Sequence, residues 1–362
     1  MKIIKQGFVS PKAKNHFRYN AWPTVITLAD GTLLAAWSGD RFKHICPFGR
    51  VMAARSYDGG FTWLPPYCIQ DTTIDDRDAG LLQVGDKILM TSFNNDRAMQ
   101  RKYNEHWLHA PNTPEKKAFV AAYLDMLTDE DEATFGPTLA VSSDNGYTFT
   151  DPVNIPLTCP HGPTLLSSGK ILHVGTIPIK LRDNSSIGRG IYACYLDTDC
   201  KVVEGPWLVS PAIEENIEWC EPYAKEMPNG EILLVIRYQN KVDGPRTQTM
   251  YICRSTDEGK TFSAPEPTGA DGYPPHLFVD SKGRVILSFG RRHDPMGIRV
   301  RISYDSGRTF TEEHVLRDDG LDWDLGYAST TENANGQLVT VYYMKEIDDP
   351  NENRIQYTIW EL

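Results

Sequence analysis

An all-β fold, a six-bladed β-propeller, is predicted by two patterns that repeat along the 362 residues. The first pattern is Ser-x-Asp-x-Gly-x-Thr-aromatic, which begins at Ser56, Ser142, Ser255 and Ser303. The second is strand, tight turn, strand, and its turns lie at Gly31, Asp86, Gly169, Gly230, Gly283 and Gly336. A propeller blade has four strands, so six hairpins and the outer strands that carry the first pattern fit six blades.

Each serine–aspartate motif is expected to be a turn with a fixed internal structure. Serine and aspartate side chains accept hydrogen bonds from nearby backbone N–H groups, and glycine adopts the positive φ that such a turn requires. In "RSYDGGFTW", from Arg55 to Trp63, the final aromatic residue starts the next strand and can pack under the turn. Four copies in one chain indicate a structural repeat.

The six hairpins follow from alternating apolar residues on both sides of a short turn. "VITLADGTLLAAW" and "AKEMPNGEILLVIR" show the pattern, and successive turns are 53 to 83 residues apart. One convincing helical stretch, Thr113 to Phe135, lies within the longest spacing, and its Thr-Pro-Glu start predicts a capping threonine followed by proline at the first helical position. We therefore expect a helical insertion at about 113–135. Because no linker-like composition divides the chain, a single domain over 1–362 is expected.

Composition narrows the classes of function. The formal net charge is −11 and no basic run stands out, so nucleic acid is not an expected partner. The sequence has no run of eighteen apolar residues, so no membrane span is expected. The first residues lack the apolar core of a signal peptide, which predicts a cytoplasmic protein, or a periplasmic or secreted one if a signal has been removed. Seven scattered cysteines indicate mostly free thiols.

A candidate site follows from the propeller geometry. The innermost strand of each blade lines the central axis, so residues eight to ten positions before each turn are expected to form a ring at one mouth of the channel. The ring positions are Trp22, Arg77, Asp78, His161, Glu221, Tyr273 and Tyr327. For any one of them, partial exposure at the mouth would be an ordinary explanation. Six convergent positions of this kind favour a binding site.

Arginines lie near several of these strand ends. Arg237 ends "ILLVIR", Arg292 and Arg299 lie in "FGRRHDPMGIRVRISYDSG", and Arg18 lies in "FRYNAWP". Guanidinium groups bind carboxylates bidentately, so arginines that converge in an acidic protein indicate a clamp for an acidic ligand.

These residues resemble the sialidase (neuraminidase) superfamily, six-bladed propellers whose repeated turns are called Asp-boxes or BNR repeats. "EWCEPYAKEMPNGEILLVIR" resembles the blade that carries a glutamate and an arginine, which implies Glu221 as the general base and Arg237 as a carboxylate ligand. "LGYASTTENANGQLVTVYY" resembles the blade that carries the tyrosine nucleophile, here Tyr327. A sialic acid bears a carboxylate on its anomeric carbon, which would repel a carboxylate nucleophile, whereas a tyrosine is neutral.

The resemblance also implies further site residues. The segment "HFRYNAWP" suggests Arg18 as the first arginine, and the fifth blade suggests Arg292 or Arg299 as the third. The acid expected between the first arginine and the first Asp-box is Asp40. The alternatives for that acid are His44, Asp76 and Asp78; Arg77, His161 and Tyr273 complete the expected substrate-binding set.

The implied function is a retaining exo-glycosidase that removes sialic acid or a related acidic sugar from glycans. It requires neither a metal ion nor an organic cofactor, and the implied partner is the glycan itself. Two alternatives stay open. The chain could be a non-catalytic glycan-binding propeller, or a glycosidase or lyase for another sugar on the same scaffold. His161 and His276 leave room for the latter chemistry.

Overall fold

The fold is an all-β propeller with two short helices. The computed structural model describes residues 1–105, 113–178, 190–209, 217–240 and 248–362. Four sheets have four strands each, and one sheet has eight. The first two four-stranded sheets are β6 (Asp75–Val84), β7 (Lys87–Asn95), β8 (Pro137–Ser142) and β9 (Val153–Asn154), and β10 (Thr164–Leu165), β11 (Ile171–Gly175), β12 (Tyr192–Leu196) and β13 (Val202–Leu208). The other two are β14 (Ile217–Glu226), β15 (Ile232–Asn240), β16 (Gln248–Ser255) and β17 (Glu266–Asp271), and β18 (His276–Val279), β19 (Val285–Arg291), β20 (Gly297–Ser303) and β21 (His314–Arg317).

The eight-stranded sheet joins the two ends of the chain. Its strands are β22 (Gly326–Glu332), β23 (Leu338–Glu346), β24 (Asp349–Glu361), β2 (Tyr19–Thr27), β3 (Leu33–Arg41), β4 (Arg50–Ser56) and β5 (Tyr67–Gln70), with β1 (Lys2–Phe8) paired to β24. The expectation of six separate sheets is therefore not met. The reason is one parallel pair, Tyr19 with Asn353, through which β2 bonds to β24 and merges two groups of four strands.

The first strands of these groups surround a central channel. β2 contacts β6, β6 contacts β10, β10 contacts β14, β14 contacts β18, β18 contacts β22, and β22 contacts β2. The circle is thus closed by contacts between inner strands, and every inner strand begins at the same mouth of the channel. This arrangement brings residues that are distant in sequence to one place.

The core lies between neighbouring sheets. Alternate side chains of each second strand point to opposite faces, so each strand contributes to two apolar clusters. In each cluster, side chains of two neighbouring second strands occur together: Val339 and Leu33, Leu34 and Met90, Leu89 and Ile171, Leu172 and Leu234, Leu233 and Leu287, and Ile286 and Tyr342. Burial of these side chains, at about 25 cal/mol per Å² of apolar surface, is the main force that holds the ring together.

The four Asp-boxes have the expected structure and connect the third and fourth strands of their groups. In the first, Ser56 Oγ accepts from Gly60 N at 2.8 Å and Asp58 Oδ1 accepts from Thr62 N at 2.8 Å. The other three boxes repeat both bonds at 2.8 to 2.9 Å. Trp63, Phe149, Phe262 and Phe310 pack against the core, as predicted for the aromatic position.

Two helices interrupt the second sheet, where one was predicted. Helix α2 (Pro114–Met126) begins as expected, with Thr113 accepting from Lys116 N and proline in the first turn. It ends nine residues before the predicted Phe135, because Leu127 is extended and Asp131 accepts from Thr128 N in the following turn. Helix α1 (Arg97–Glu105) was not predicted, since its sequence RAMQRKYNE is short and mostly polar.

Neither described helix is long and apolar enough to cross a membrane. All seven cysteines are free thiols.

Candidate active site

A cavity of about 560 Å³, here called the mouth cavity, opens where the inner strands begin. It is lined by His44, Arg77, Asp78, Phe93, Glu221, Arg237, Gln239, Tyr273, Arg292, Trp323, Tyr327 and Tyr343. Most of these side chains carry a charge or a hydrogen-bonding group, which distinguishes this cavity from a purely apolar pocket.

The backbone of the inner strands directs side chains into this cavity. Trp22, Asp78, Glu221 and Tyr327 have φ values of 57°, 51°, 47° and 49°, in the left-handed region that non-glycine residues rarely adopt. At each of these positions the pairing register with the second strand shifts, as in a β-bulge. The same local distortion therefore recurs in four inner strands, and strained backbone of this kind concentrates at functional sites.

Tyr327, Glu221 and Arg237 form a hydrogen-bonded chain in the cavity. The Tyr327 hydroxyl donates to Glu221 Oε1 at 2.6 Å, and Arg237 Nη1 donates to Glu221 Oε2 at 2.5 Å. With the Gln239 amide turned so that its oxygen faces Arg237, this oxygen accepts from Nε and Nη2 of the guanidinium. The Arg237 guanidinium also lies 3.8 Å from the ring centroid of Tyr273. Arg237 thus holds the carboxylate in place while its own donors are occupied.

The pKa values of Glu221 and Tyr327 are shifted in opposite directions, which shows that the proton they share belongs to Tyr327. Burial by itself would raise the pKa of Glu221, but the charge and hydrogen bond of Arg237, together with the Tyr327 hydroxyl, hold that pKa below its usual range. Burial and the negative charges of Glu221 and Asp78 raise the pKa of Tyr327 well above its ordinary value. At neutral pH Glu221 is therefore a carboxylate, and it accepts a hydrogen bond from the neutral phenol of Tyr327.

Arg292 differs from Arg237 in having unused donors. Its side chain lines the mouth cavity and the residue is 6% exposed, yet Nε and Nη2 have no hydrogen-bond partner among the described residues. The guanidinium carbon lies 5.0 Å from the Tyr273 ring and 5.7 Å from the Tyr327 ring. Buried donors that lack a partner are costly, so this geometry favours a ligand that supplies acceptors.

Arg77 brings a third positive charge from the second inner strand. Its guanidinium carbon lies 3.9 Å from the Trp22 ring centroid, and Nη1 donates to the carbonyl oxygen of His44 at 2.7 Å. Asp75, whose side chain is fully buried, lies 3.6 Å from the same nitrogen and partly balances the charge. Trp22 occupies the ring position of β2, and the Arg77 guanidinium packs on its indole ring.

Of the two carboxyl groups that line the mouth cavity, Asp78 is the one that can hold a proton near neutral pH. Burial raises its pKa to about 7; the nearby Arg77 charge opposes this shift, and the Glu221 charge adds to it. Its Oδ1 is buried without a hydrogen-bond partner among the described residues. A carboxyl whose environment keeps it protonated close to pH 7 can act as a general acid.

His44 is oriented by a hydrogen-bonded cluster behind the cavity wall. Its Nδ1 lies 2.7 Å from the Tyr19 hydroxyl, which donates to Asp324 Oδ2 at 2.7 Å. The Tyr343 hydroxyl donates to Asp324 Oδ1 at 2.8 Å. Because the Tyr19 hydroxyl gives its hydrogen to Asp324, it accepts from His44, which places the His44 proton on Nδ1.

The structure gathers eight of the expected site residues around the mouth cavity: His44, Arg77, Asp78, Glu221, Arg237, Tyr273, Arg292 and Tyr327. Arg18 and Asp40 lie elsewhere. Arg18 forms ion pairs with Asp349 and Glu352 at the start of β2, four residues before the ring position. Asp40 lies 3.5 Å from Arg50 and lines a separate cavity of about 300 Å³.

Three more expected residues also lie outside the mouth cavity. Asp76 accepts from Thr72 N at 2.7 Å and Gln70 Nε2 at 2.8 Å, so its carboxylate is held within the sheet. Arg299, on the third strand of its sheet, donates to backbone carbonyl oxygens, including that of Pro295 at 2.8 Å. His161 lies deeper in the channel, with its ring centroid 6.3 Å from that of Tyr327.

Phe93, Gln239, Trp323 and Tyr343 line the cavity but were not singled out from the sequence. A signal for two of them was present. Phe93 and Tyr343 both lie seven residues after their hairpin turn, as Arg237 does. The end of each second strand pairs with the ring region of the first, so this offset marks the cavity wall.

Among the described residues, no group of three or more histidine, cysteine, aspartate or glutamate side chains is placed to hold a metal ion. His161 and His276 have ring centroids 5.0 Å apart.

Comparisons with known proteins agree with this architecture. The sequence profile of the family described as BNR repeat-like domain matches residues 127–340, more than half of the chain. A comparison with curated protein sequences finds no match.

Solved structures of similar fold include both uncharacterised and enzymatic propellers. A protein of unknown function from Dyadobacter fermentans has 23% identity and a TM-score of 0.75, with 100% of this chain and 99% of that chain covered. The α-L-arabinofuranosidase Arb93A from Fusarium graminearum has 15% identity and a TM-score of 0.67, covering 100% and 99%. The NanB sialidase from Streptococcus pneumoniae has 12% identity and a TM-score of 0.65, covering 98% and 70%. At these identities the likeness concerns the fold alone.

Proposed function

Because the chain belongs to the family of BNR repeat-like domains, we propose that its mouth cavity is the active site of a retaining exo-glycosidase for a terminal acidic sugar, sialic acid or a close relative. The sialidases and arabinofuranosidases of similar fold make a glycoside a reasonable substrate class. The six-bladed count is part of this proposal, with the eight-stranded sheet counted as two blades joined at Tyr19 and Asn353.

One observation carries the proposal: the Tyr327 hydroxyl lies 2.6 Å from Glu221 Oε1, in a cavity that also holds the unpaired donors of Arg292. A phenol beside a carboxylate is the pairing that a nucleophilic tyrosine requires, since the carboxylate can take its proton. The three guanidinium groups of Arg77, Arg237 and Arg292 outnumber the two carboxyl groups, Glu221 and Asp78, that line the cavity. The excess positive charge favours a substrate that carries its own carboxylate.

In the first chemical step, Tyr327 Oη forms a bond to the anomeric carbon as its proton passes to Glu221. The bond between that carbon and the leaving oxygen breaks, and Asp78 gives its proton to the leaving oxygen. Arg292 binds the substrate carboxylate through Nε and Nη2, while Arg237 keeps Glu221 in position. The fixed positive charges are present before the reaction begins, so no reorganisation is needed when charge develops.

In the second step, water attacks the anomeric carbon of the glycosyl-tyrosine. Asp78, now a carboxylate, takes a proton from this water, and Glu221 returns its proton to the phenolate oxygen of Tyr327. Two displacements at the same carbon give net retention of configuration. The protonation states of both carboxyl groups are then as they were at the start.

The test is hydrolysis of a fluorogenic sialoside and of matching glycosides of other acidic and neutral sugars. Tyr327→Phe removes the nucleophile and Glu221→Gln removes its base, so each is expected to lower kcat by about 100-fold or more. The product configuration, followed by NMR during the first turnovers, is expected to match that of the substrate.

Turnover that is insensitive to both substitutions would contradict the proposed roles of Tyr327 and Glu221. Binding of acidic sugars without turnover of any glycoside would instead identify a recognition module. Turnover of neutral glycosides alone would leave the glycosidase but reject the acidic substrate.

A further inference from the structure

A second, smaller cavity lies further along the central channel. This far cavity has a volume of about 200 Å³, and its lining includes Thr27, Thr164, Tyr223, Lys225, His276 and Thr331. All six inner strands or their leading residues contribute to it, as they do to the circle around the channel. The far cavity and the mouth cavity therefore share one axis.

The distance between the two cavities follows from strand geometry. Thr330 lies three residues after Tyr327 on β22, and Lys225 lies four residues after Glu221 on β14. At about 3.3 Å per residue the two levels are roughly 10 to 13 Å apart. His161, whose ring centroid lies 6.3 Å from that of Tyr327, is 5.0 Å between ring centroids from His276, which lines the far cavity. The far cavity is thus distinct from the site proposed for catalysis.

Lys225 gives the far cavity an unbalanced positive charge. Among the described residues that line it, Lys225 is the only one with a charged side chain apart from the titratable His276. Its neighbour Glu226 is engaged elsewhere, accepting from Ser167 N at 2.5 Å and Ser167 Oγ at 2.7 Å. No hydrogen bond or ion pair joins Lys225 Nζ to any residue that the structure describes. Burial lowers the pKa of Lys225, with the Glu226 charge opposing the shift, as expected for an ammonium group without a close counter-charge.

His276 does not add a competing charge. Burial and the neighbouring His161 and Lys225 lower its pKa well below the ordinary value, so its ring is neutral. Its Nδ1 accepts from Thr330 N at 3.3 Å, and Tyr223 stacks on it at 4.7 Å between centroids. This wall of the far cavity is therefore rigid and uncharged.

Thr164 supplies an independent indication of a ligand. The residue is 2% exposed, and its Oγ1 has no hydrogen-bond partner among the described residues. By contrast, Thr27 and Thr331 bond to each other at 2.8 Å, and Thr27 donates to the Glu332 carbonyl oxygen. An ammonium group and a buried hydroxyl donor thus line one small cavity without acceptors of their own.

We propose that the far cavity binds a small carboxylate anion, held by Lys225 and Thr164. A carboxylate of acetate size fits the volume and supplies acceptors for both donors. The bound anion balances the positive charge of the partly buried Lys225 in this part of the channel, so it stabilises the ring from within. This site is independent of the glycosidase proposal.

Acetate is the probe, titrated by calorimetry and by thermal unfolding at constant ionic strength in a sulfonate buffer. Because acetate can also bind Arg292 in the mouth cavity, the titration includes Arg292→Met, which leaves the far cavity intact. Lys225→Met removes the charge at nearly constant length, and Lys282→Met is the matched control at an exposed position. We expect acetate to bind the wild type, Arg292→Met and Lys282→Met, and to bind the far cavity at least tenfold more weakly in Lys225→Met.

An acetate affinity that is the same in the double variant Lys225→Met/Arg292→Met as in Arg292→Met, or loss of all acetate binding in Arg292→Met alone, would overturn the proposal. Without acetate, Lys225→Met is expected to unfold at the same temperature as the wild type or higher, since it removes a partly buried ammonium group whose pKa is lowered by burial. If that variant does not fold, Thr164→Val gives the decision: a severalfold loss of acetate affinity supports the site, and an unchanged affinity rejects it.

Discussion

The Asp-box turns and the mouth cavity use the same residue type in opposite ways. In the fourth Asp-box, Asp305 accepts from Ser303 Oγ at 2.7 Å, Thr309 N at 2.9 Å and Thr309 Oγ1 at 2.6 Å. These hydrogen bonds from Thr309 lower its pKa to about 2. Asp78 is buried with an unpartnered oxygen, and burial raises its pKa to about 7. One aspartate is satisfied by its own turn, and the other is left available for a ligand.

This contrast separates residues that stabilise the fold from residues that act on a substrate. A carboxylate with all its acceptor sites filled contributes to folding but has nothing left to offer a ligand. A carboxyl that is buried and unsatisfied costs stability, and its protonation is poised for chemistry. If the contrast is correct, substitutions in the two regions will affect different measurements.

The largest effect is expected for Asp78→Asn, which removes the proposed acid. We expect kcat for a glycoside with a poor leaving group to fall by about 100- to 10,000-fold, with a smaller loss for an activated leaving group that needs no proton. In the wild type, kcat/KM is expected to fall as the pH rises through about 7, because Asp78 loses its proton. The measurement is a pH profile with both substrates. Equal losses for the two leaving groups would assign Asp78 another role.

A smaller effect is expected for Arg292→Met, which removes the unpaired donors of the mouth cavity. Charge-assisted hydrogen bonds contribute about 1.5 to 3 kcal/mol, so kcat/KM for an acidic sugar is expected to fall by about 10- to 150-fold. A neutral analogue of the same sugar should not be affected. Arg308→Met is the matched control: Arg308 pairs with Glu231 on the surface, near the fourth Asp-box. A similar loss in both variants would remove the carboxylate role from Arg292.

The smallest effects concern how stability depends on pH, and they have opposite directions in the two regions. Asp305 has a lowered pKa, so its contribution is present above the unfolded value of about 4 and is lost as the pH falls towards about 2. Asp78 has a raised pKa, so the folded state keeps a proton that the unfolded state releases. Wild-type stability is therefore expected to fall, relative to Asp78→Asn, as the pH rises from about 4 to about 7.

Denaturant unfolding of the wild type, Asp305→Asn and Asp78→Asn at several pH values measures both effects. The difference in the free energy of unfolding between wild type and Asp305→Asn should become smaller in acid. The wild type should become less stable relative to Asp78→Asn as the pH rises towards 7. Parallel curves for the three proteins would mean that the two aspartates do not differ in the way described.

The repeated parts of the fold were predictable because each repeat has a local cause. The Ser-x-Asp-x-Gly-x-Thr pattern specifies its own hydrogen bonds, and alternating apolar residues specify strands whatever the rest of the chain does. The ring offset located Glu221 and Tyr327 for the same reason: each lies at a bulge at a fixed distance before its turn. Helix α1 was missed because it is short and its nine residues, RAMQRKYNE, include few apolar side chains.

The acid and the first arginine could not be located from local patterns. Arg18 precedes the ring position of β2, but that position is Trp22, and Arg77 from the next inner strand lies on its indole. Which strand supplies the charge depends on packing between sheets. Likewise, Asp76 and Asp78 are alike in sequence, and the hydrogen bonds from Gln70 and Thr72 separate the structural aspartate from the available one.

The pairing of β1 with β24 also determines when, after synthesis, the last sheet can finish folding. Ile3 is the partner of Trp360, so the outermost strand of that sheet comes from the opposite end of the chain from its three companions. A nascent polypeptide would carry this segment, unpaired, until β24 had left the ribosome. Closure of so long a loop is entropically costly and slow. Deleting Lys2–Phe8 would therefore leave β24 with an open edge, ready to pair with Lys2–Phe8 of a full-length molecule in a mixture of the two.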